Sequence, residues 1–194
     1  GLDTQQIYFD IAATQLAMQK PRDAIEYLDK ARKKFRQSFV GEFYSGIAYM
    51  RLKEFTNALE HFTAAEIVAK ARETNRLTYH FYFELGAAHE RAGKIPESER
   101  YFESCLSMNP EFPPALNYLG YMWAERGTNL TRAREYIEKA VKLKQQVKSA
   151  MIYPIAVIAI AVIVVGVILW KVIPTFANLF AGLGAELPLP TRIV

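Results

Sequence analysis

Four times along the chain a small residue is followed by a large apolar one four positions on and a second small one three positions later, with polar residues between. The sets are Ala24, Leu28 and Ala31; Ala58, Phe62 and Ala65; Ser98, Phe102 and Cys105; and Ala133, Ile137 and Ala140. Positions i, i+4 and i+7 share one face of a helix, so each set predicts an amphipathic helix with an apolar stripe. Successive sets begin 34, 40 and 35 residues apart, which is the period of a helical repeat. Upstream of the last three lies a companion helix marked by Gly46, Gly86 or Gly120, 12 or 13 residues before the small anchor. Glycine inside a helix costs about 1 kcal/mol relative to alanine. Three at matching places therefore predict close packing of paired helices.

Breakers fall where such pairs need turns. Lys20-Pro21, Gly93-Lys94 and Gly127-Thr128 separate the two helices of a pair, while Asn109-Pro110 and Pro113-Pro114 separate adjacent pairs. The 40-residue spacing leaves about six extra residues, expected as helix extension around 65–71 and 73–79. The pattern changes abruptly at Ala150: from there to Trp170 the chain runs 21 residues without a charge. About 20 apolar residues span a bilayer core, and this run is apolar on all faces. It predicts one transmembrane helix, with Tyr153 and Trp170 as interfacial anchors at its ends and Lys148 and Lys171 flanking them.

Composition adds less. A net charge of +4 and pI near 9.1 suit a nucleic-acid partner in principle, but basic and acidic residues interleave as far as about residue 130, as on a solvated helical surface. The basic excess sits at Arg132, Arg134, Lys139, Lys142, Lys144 and Lys148, against Glu135 and Glu138, immediately before the apolar run. Membrane topology accounts for it better than nucleic acid. A single cysteine, Cys105, makes no internal disulfide and sits at a packing position. His61, His80 and His89 lie on different predicted helices with no metal-ligand spacing, and no phosphate loop is present. His80 and Glu84 share a helical face as a surface pair. No catalytic residue, metal or cofactor is expected. The chain begins Gly-Leu-Asp and ends at Val194, and is read as a fragment without a signal peptide.

The repeats resemble tetratricopeptide repeats, which carry a Leu-Gly pair, an aromatic, then Ala, Phe and Ala, and a closing Pro. The second unit matches through Gly46, Tyr49, Ala58, Phe62 and Ala65; the third through Leu85, Gly86, Phe102 and Pro110, with Ser98 and Cys105 at the alanine places. The fourth matches through Leu119, Gly120, Ala133 and Ala140 with one extra residue in its turn, and the first has Ile11-Ala12 for Leu-Gly. The resemblance implies an all-α solenoid of four helix pairs over residues 3–143, in units 3–37, 38–72, 73–110 and 111–143. It also implies a partner-binding groove on the first helices: Phe9 and Ala13; Phe43, Ile47 and Met50; Phe83, Ala87 and Glu90; Asn117, Tyr121 and Ala124. Several of these side chains equally suit packing between helices. The Lys, Asn and Arg clamp with which some relatives hold a C-terminal carboxylate is absent.

From about Leu143 the chain resembles another family, the inner-membrane platform proteins of bacterial type II secretion and type IV pilus assembly. The resemblance is carried by Val147-Lys148-Ser149-Ala150-Met151-Ile152-Tyr153-Pro154, by Val172-Ile173-Pro174-Thr175-Phe176, and by the segment from Gly184 to Arg192. It implies a basic juxtamembrane helix at 144–149, a first transmembrane helix at 150–173 and an external segment at 174–194. In that family a cytoplasmic helical bundle precedes this helix and a second half follows. Here repeats stand in place of the bundle, so a natural or artificial fusion is expected, with its seam near Lys142-Leu143-Lys144-Gln145. Six basic residues precede the span, whereas Lys171 and Arg192 follow it with Glu186, which places the repeats in the cytoplasm and the C-terminus outside the bacterial inner membrane. Two functions follow as expectations. One is a membrane-tethered scaffold binding a peptide or helical protein partner; the other is a structural platform component among secretion or pilus assembly proteins. Membrane lipid is a partner in either case, and nucleic acid is not.

Overall fold

The computed structural model describes residues 2–172, and every regular element among them is helical. The expected external segment at 174–194, with the last residue of the expected span, lies outside the described residues. The chain divides into two compact units, Gly1–Val141 and Lys142–Val194.

In the first unit, α1 (Leu2–Ala17), α2 (Pro21–Lys34), α3 (Phe39–Leu52), α4 (Phe55–Arg72), α5 (Tyr79–Arg91), α6 (Ile95–Met108) and α7 (Pro113–Glu125) lead to α8 (Leu130–Ala150), which begins here and ends in the second unit. Helices pack in consecutive pairs, α1 with α2, α3 with α4 and α5 with α6, and each pair stacks on the next through α2 with α3, α4 with α5 and α6 with α7. The core follows the sequence stripes. Ala24, Leu28 and Ala31 join Phe9, Ala12, Leu16 and Ala48 in one buried cluster; Ala58, Phe62 and Ala65 join Phe39, Phe81, Leu85 and Ala88 in another. Val40 and Ile47 pack against both, so the core continues from pair to pair.

The helical glycines mark where the two helices of a pair touch. A Cβ on Gly46 would lie 2.6 Å from the Phe62 ring, one on Gly86 2.9 Å from the Phe102 ring, and one on Gly120 2.8 Å from Ile137 Cγ1. The large residue of each stripe thus fills the space left by the missing side chain. A second contact recurs beside it: Tyr49 stacks on His61, His89 on Tyr101, and Trp123 lies against Tyr136, with centroids 5.2, 5.0 and 5.4 Å apart. The two departures at the third unit's alanine places are also explained. Ser98 is buried and donates to the Gly86 carbonyl at 2.8 Å, while Cys105 is fully buried.

All four turns inside pairs close alike, one amide bonding three residues back and the next bonding five back. The donors are Gln19 and Lys20, Lys53 and Glu54, Gly93 and Lys94, and Gly127 and Thr128. This closure places its first residue in the left-handed region. Gly93 and Gly127 adopt it at φ 75° and 66°, but Gln19 and Lys53 do so as well, at 59° and 62°. The long spacing between the second and third sets is resolved differently from the expectation. Helix α4 has 18 residues against 14 in α2 and α6, but residues 73–78 form no further α-helix. They fold as a 3-10 turn, Thr74–Arg76, after which the Thr78 hydroxyl accepts from the Phe81 amide and caps α5.

In the second unit, after the end of α8, α9 runs from Ile152 to Val167 and passes into a π-helical turn at Ile168–Val172. All its side chains are exposed, and among the described residues the one helical stretch long and apolar enough to cross a membrane is Leu130–Lys171, which contains it.

Candidate partner-binding face

The residues carried over from the tetratricopeptide resemblance fall into three groups in the structure. Phe9, at 6% exposed, sits in the first core cluster against Gly41, and Ala87 is equally buried. Neither offers a surface to a partner, because the next helix pair covers the face of α1 that carries Phe9. Phe43, Ile47, Met50 and Phe83 are half-buried. The Phe43 ring lies 5.5 Å from Phe39, 5.8 Å from Phe62 and 6.1 Å from Phe81. Phe83 belongs to a second ring cluster, 5.8 Å from Phe102, 5.3 Å from Phe112 and 5.7 Å from Tyr118. Each therefore has one side committed to packing and an edge left for contact. Asn117 and Tyr121 are exposed on α7, Tyr121 at 51%.

Electrostatics near this face centre on Glu84, which the sequence pattern pairs with His80. The structure separates their roles. His80 is exposed and lies against Tyr79 and Phe112. Glu84 is half-buried, and burial pushes its carboxyl up, offset in part by the charge of Arg51. Arg51 itself donates to the Leu16 carbonyl, so it ties α3 to the end of α1. No sequence motif marks this pair, since the partners lie on different helices 33 residues apart.

A polar cluster around the buried Glu42 carboxylate joins the first two pairs. Arg32 of α2 donates to the Ser45 hydroxyl at 2.9 Å and approaches Glu42 at 3.5 Å; Gln37 donates to Glu42 at 3.1 Å, and His61 Nδ1 lies 2.6 Å from its other oxygen. Burial pushes the Glu42 carboxyl up, but His61, Arg32 and Gln37 outweigh that and hold it below its ordinary value. The cluster links α2, α3 and α4. Among the described residues no group of His, Cys, Asp and Glu is arranged to hold a metal ion. The residues expected to anchor the membrane helix are all exposed: Lys148 on α8, Tyr153 at 77% near the start of α9, and Trp170 at 82% with Lys171 in the π-helical turn.

Comparison with known proteins agrees with this division. Two tetratricopeptide family models match residues 9–73 and 79–112. Residues 9–112 are tetratricopeptide repeats. The model for Type II secretion system protein F matches residues 108–174 and so includes α7, α8 and α9. Over 65 residues, 34% of its length, the chain is 52% identical to the type IV pilus assembly protein PilC of Myxococcus xanthus, of which it covers 16%. It is 49% identical over 65 residues to PilC of Pseudomonas aeruginosa, covering 17% of that protein. The chain thus spans less than a fifth of the length of these curated relatives. In fold it is similar to the crystal structure of MamA, with a TM-score of 0.63 and 20% identity over 75% of this chain and 81% of that one. At that identity the likeness concerns fold alone. Tetratricopeptide arrays are protein-interaction scaffolds.

Proposed function

We propose that the chain is a membrane-tethered scaffold whose tetratricopeptide repeats bind a peptide or helical segment of a partner protein, with α9 holding that complex at a bacterial inner membrane. The observation that carries this reading is the run of apolar side chains on successive first helices, Phe43, Ile47 and Met50 on α3 and Phe83 on α5, half-buried and continued by exposed Asn117 and Tyr121 on α7. Apolar edges at helical spacing with a hydrogen-bonding amide suit an amphipathic helix or an extended segment. Helices α7 and α8 serve as the fourth unit, their packing resting on Gly120 against Ile137. The basic residues before α9 orient the repeats toward the cytoplasm.

Because Phe43 and Phe83 also hold the core together, the test uses the more exposed positions. A photo-crosslinking amino acid at Asn117 or Tyr121, in bacterial cells, should give a discrete protein adduct. The same group at exposed Ile67 on α4 should not. Adducts from Ile67 alone would sink the assignment of this face.

The match of residues 108–174 to protein F, with 52% identity to a pilus assembly protein, supports a second reading. Here the chain is a structural component of a secretion or pilus machine, and the repeats bring a cytoplasmic partner to it. Cysteine crosslinking from the α9 region to platform or pilin-like helices in membranes should then succeed; failure at every α9 position would remove this reading.

A further inference from the structure

Between Glu138 and Glu186 the chain has no acidic residue. Within that stretch Lys142, Lys144 and Lys148 are exposed on the part of α8 that precedes α9, and no ion pair with a described residue engages any of them. Lys139 differs, since it donates to the Pro110 carbonyl at 3.0 Å within the repeats. At about 100° per residue Lys144 and Lys148 share one side of the helix, and Lys142 lies about 160° from Lys144. Charge therefore faces outward on both sides.

The axial positions matter equally. Lys148 stands five residues before Tyr153, or about 7.5 Å up the axis; Lys144 and Lys142 stand at about 13 and 16 Å. The headgroup layer on each side of a bilayer is about 5–8 Å deep. Lys148 is thus within reach of the headgroups themselves, and Lys144 and Lys142 lie within about one Debye length of the layer's outer surface. Gln145 and Gln146 between them add hydrogen-bond donors and no repulsion.

We infer that Lys142, Lys144 and Lys148 form a docking collar for the phosphate headgroups of anionic lipids in the leaflet through which the chain enters the membrane. This deepens the proposed function and rests on α9 spanning a bilayer. The occupant follows from charge complementarity and from continuity with the span. A lysine near an anionic surface strengthens binding about fivefold, so three give roughly a hundredfold preference over a zwitterionic surface.

The test uses the full chain in nanodiscs of phosphatidylcholine with a minor fraction of phosphatidylglycerol, reading by mass spectrometry the lipid retained after mild delipidation. Wild type should retain phosphatidylglycerol preferentially, and high salt should weaken that preference. The triple substitution Lys142→Gln, Lys144→Gln and Lys148→Gln should abolish it, while the triple arginine variant keeps it. An equal preference in the glutamine variant overturns the inference, as does displacement of lipid by millimolar inorganic phosphate, which would mark a site for free anions. If the chain is extracted by alkaline carbonate, the spanning reading itself fails. Insertion without headgroup preference removes the collar alone.

Discussion

Replacing Gly46 with alanine puts a methyl group 2.6 Å from Cδ1 and Cε1 of Phe62, whereas carbon atoms in contact ordinarily lie about 3.5–4.0 Å apart. The ring has no room to retreat. Phe62 is fully buried, with the Phe43 ring 5.8 Å away on one side and Ala58 and Ala65 along its own helix. Overpacking of this kind costs about 1–3 kcal/mol, and an overlap near 1 Å against an immobile ring belongs at the upper end. The alanine returns about 1 kcal/mol of helix propensity. The net expectation is a loss of about 2 kcal/mol, with a smaller loss for Gly86→Ala, where the nearest ring atom of Phe102 is 2.9 Å away. Urea unfolding of residues 1–141, followed by far-ultraviolet circular dichroism, measures both. The cause is isolated by repeating Gly46→Ala in a Phe62→Leu background, where the smaller side chain should relieve most of the penalty. An unchanged or raised stability for Gly46→Ala, or additive losses in the double variant, would refute the account of how these helix pairs close.

Three further outcomes test other parts of the structure. Lys53→Gly should raise the stability of the repeats by about 1 kcal/mol, read as a higher Tm, because a side chain at φ 62° is strained and glycine is not. Cys105, whose thiol burial pushes up to about 11, should stay unmodified by a thiol reagent at neutral pH in the folded protein and react at once in denaturant. For Glu42, a folded-state pKa below its ordinary value means that its contribution is present above about pH 4.3 and is lost as the pH falls through the folded value. Glu42→Gln should therefore cost about 2 kcal/mol at neutral pH and leave a flatter acid limb in a pH series of denaturation curves.

The small-large-small stripes are legible in sequence because helix packing needs them at fixed intervals. Ala58, Phe62 and Ala65 are buried where the pattern placed them, as are Ala24, Leu28 and Ala31. The uncharged run is equally plain, since a helix that faces water on one side is not apolar on every side. The candidate face was legible only in part. Phe9 and Phe43 occupy equivalent positions and the same residue type, yet one is buried and the other keeps an exposed edge. Periodicity shows which face of a helix a side chain is on; what covers that face depends on the neighbouring pair. The seam was also less sharp than composition suggested. The protein F match begins at residue 108, inside the tetratricopeptide array, while the basic and apolar change comes some 35 residues later.

By itself the sequence determined the helix pairs, their period, the tight contacts at glycine and the membrane helix, because each depends on local spacing and on volume at one position. Tertiary structure alone decided the left-handed turns at Gln19 and Lys53, where four pairs close by one hydrogen-bond pattern whether or not glycine is available. It also decided the Arg32, Glu42 and His61 cluster and the half-buried Glu84 near Arg51. These join residues from different helices, and only stacking the helices buries Glu42, half-buries Glu84 and brings arginines to them.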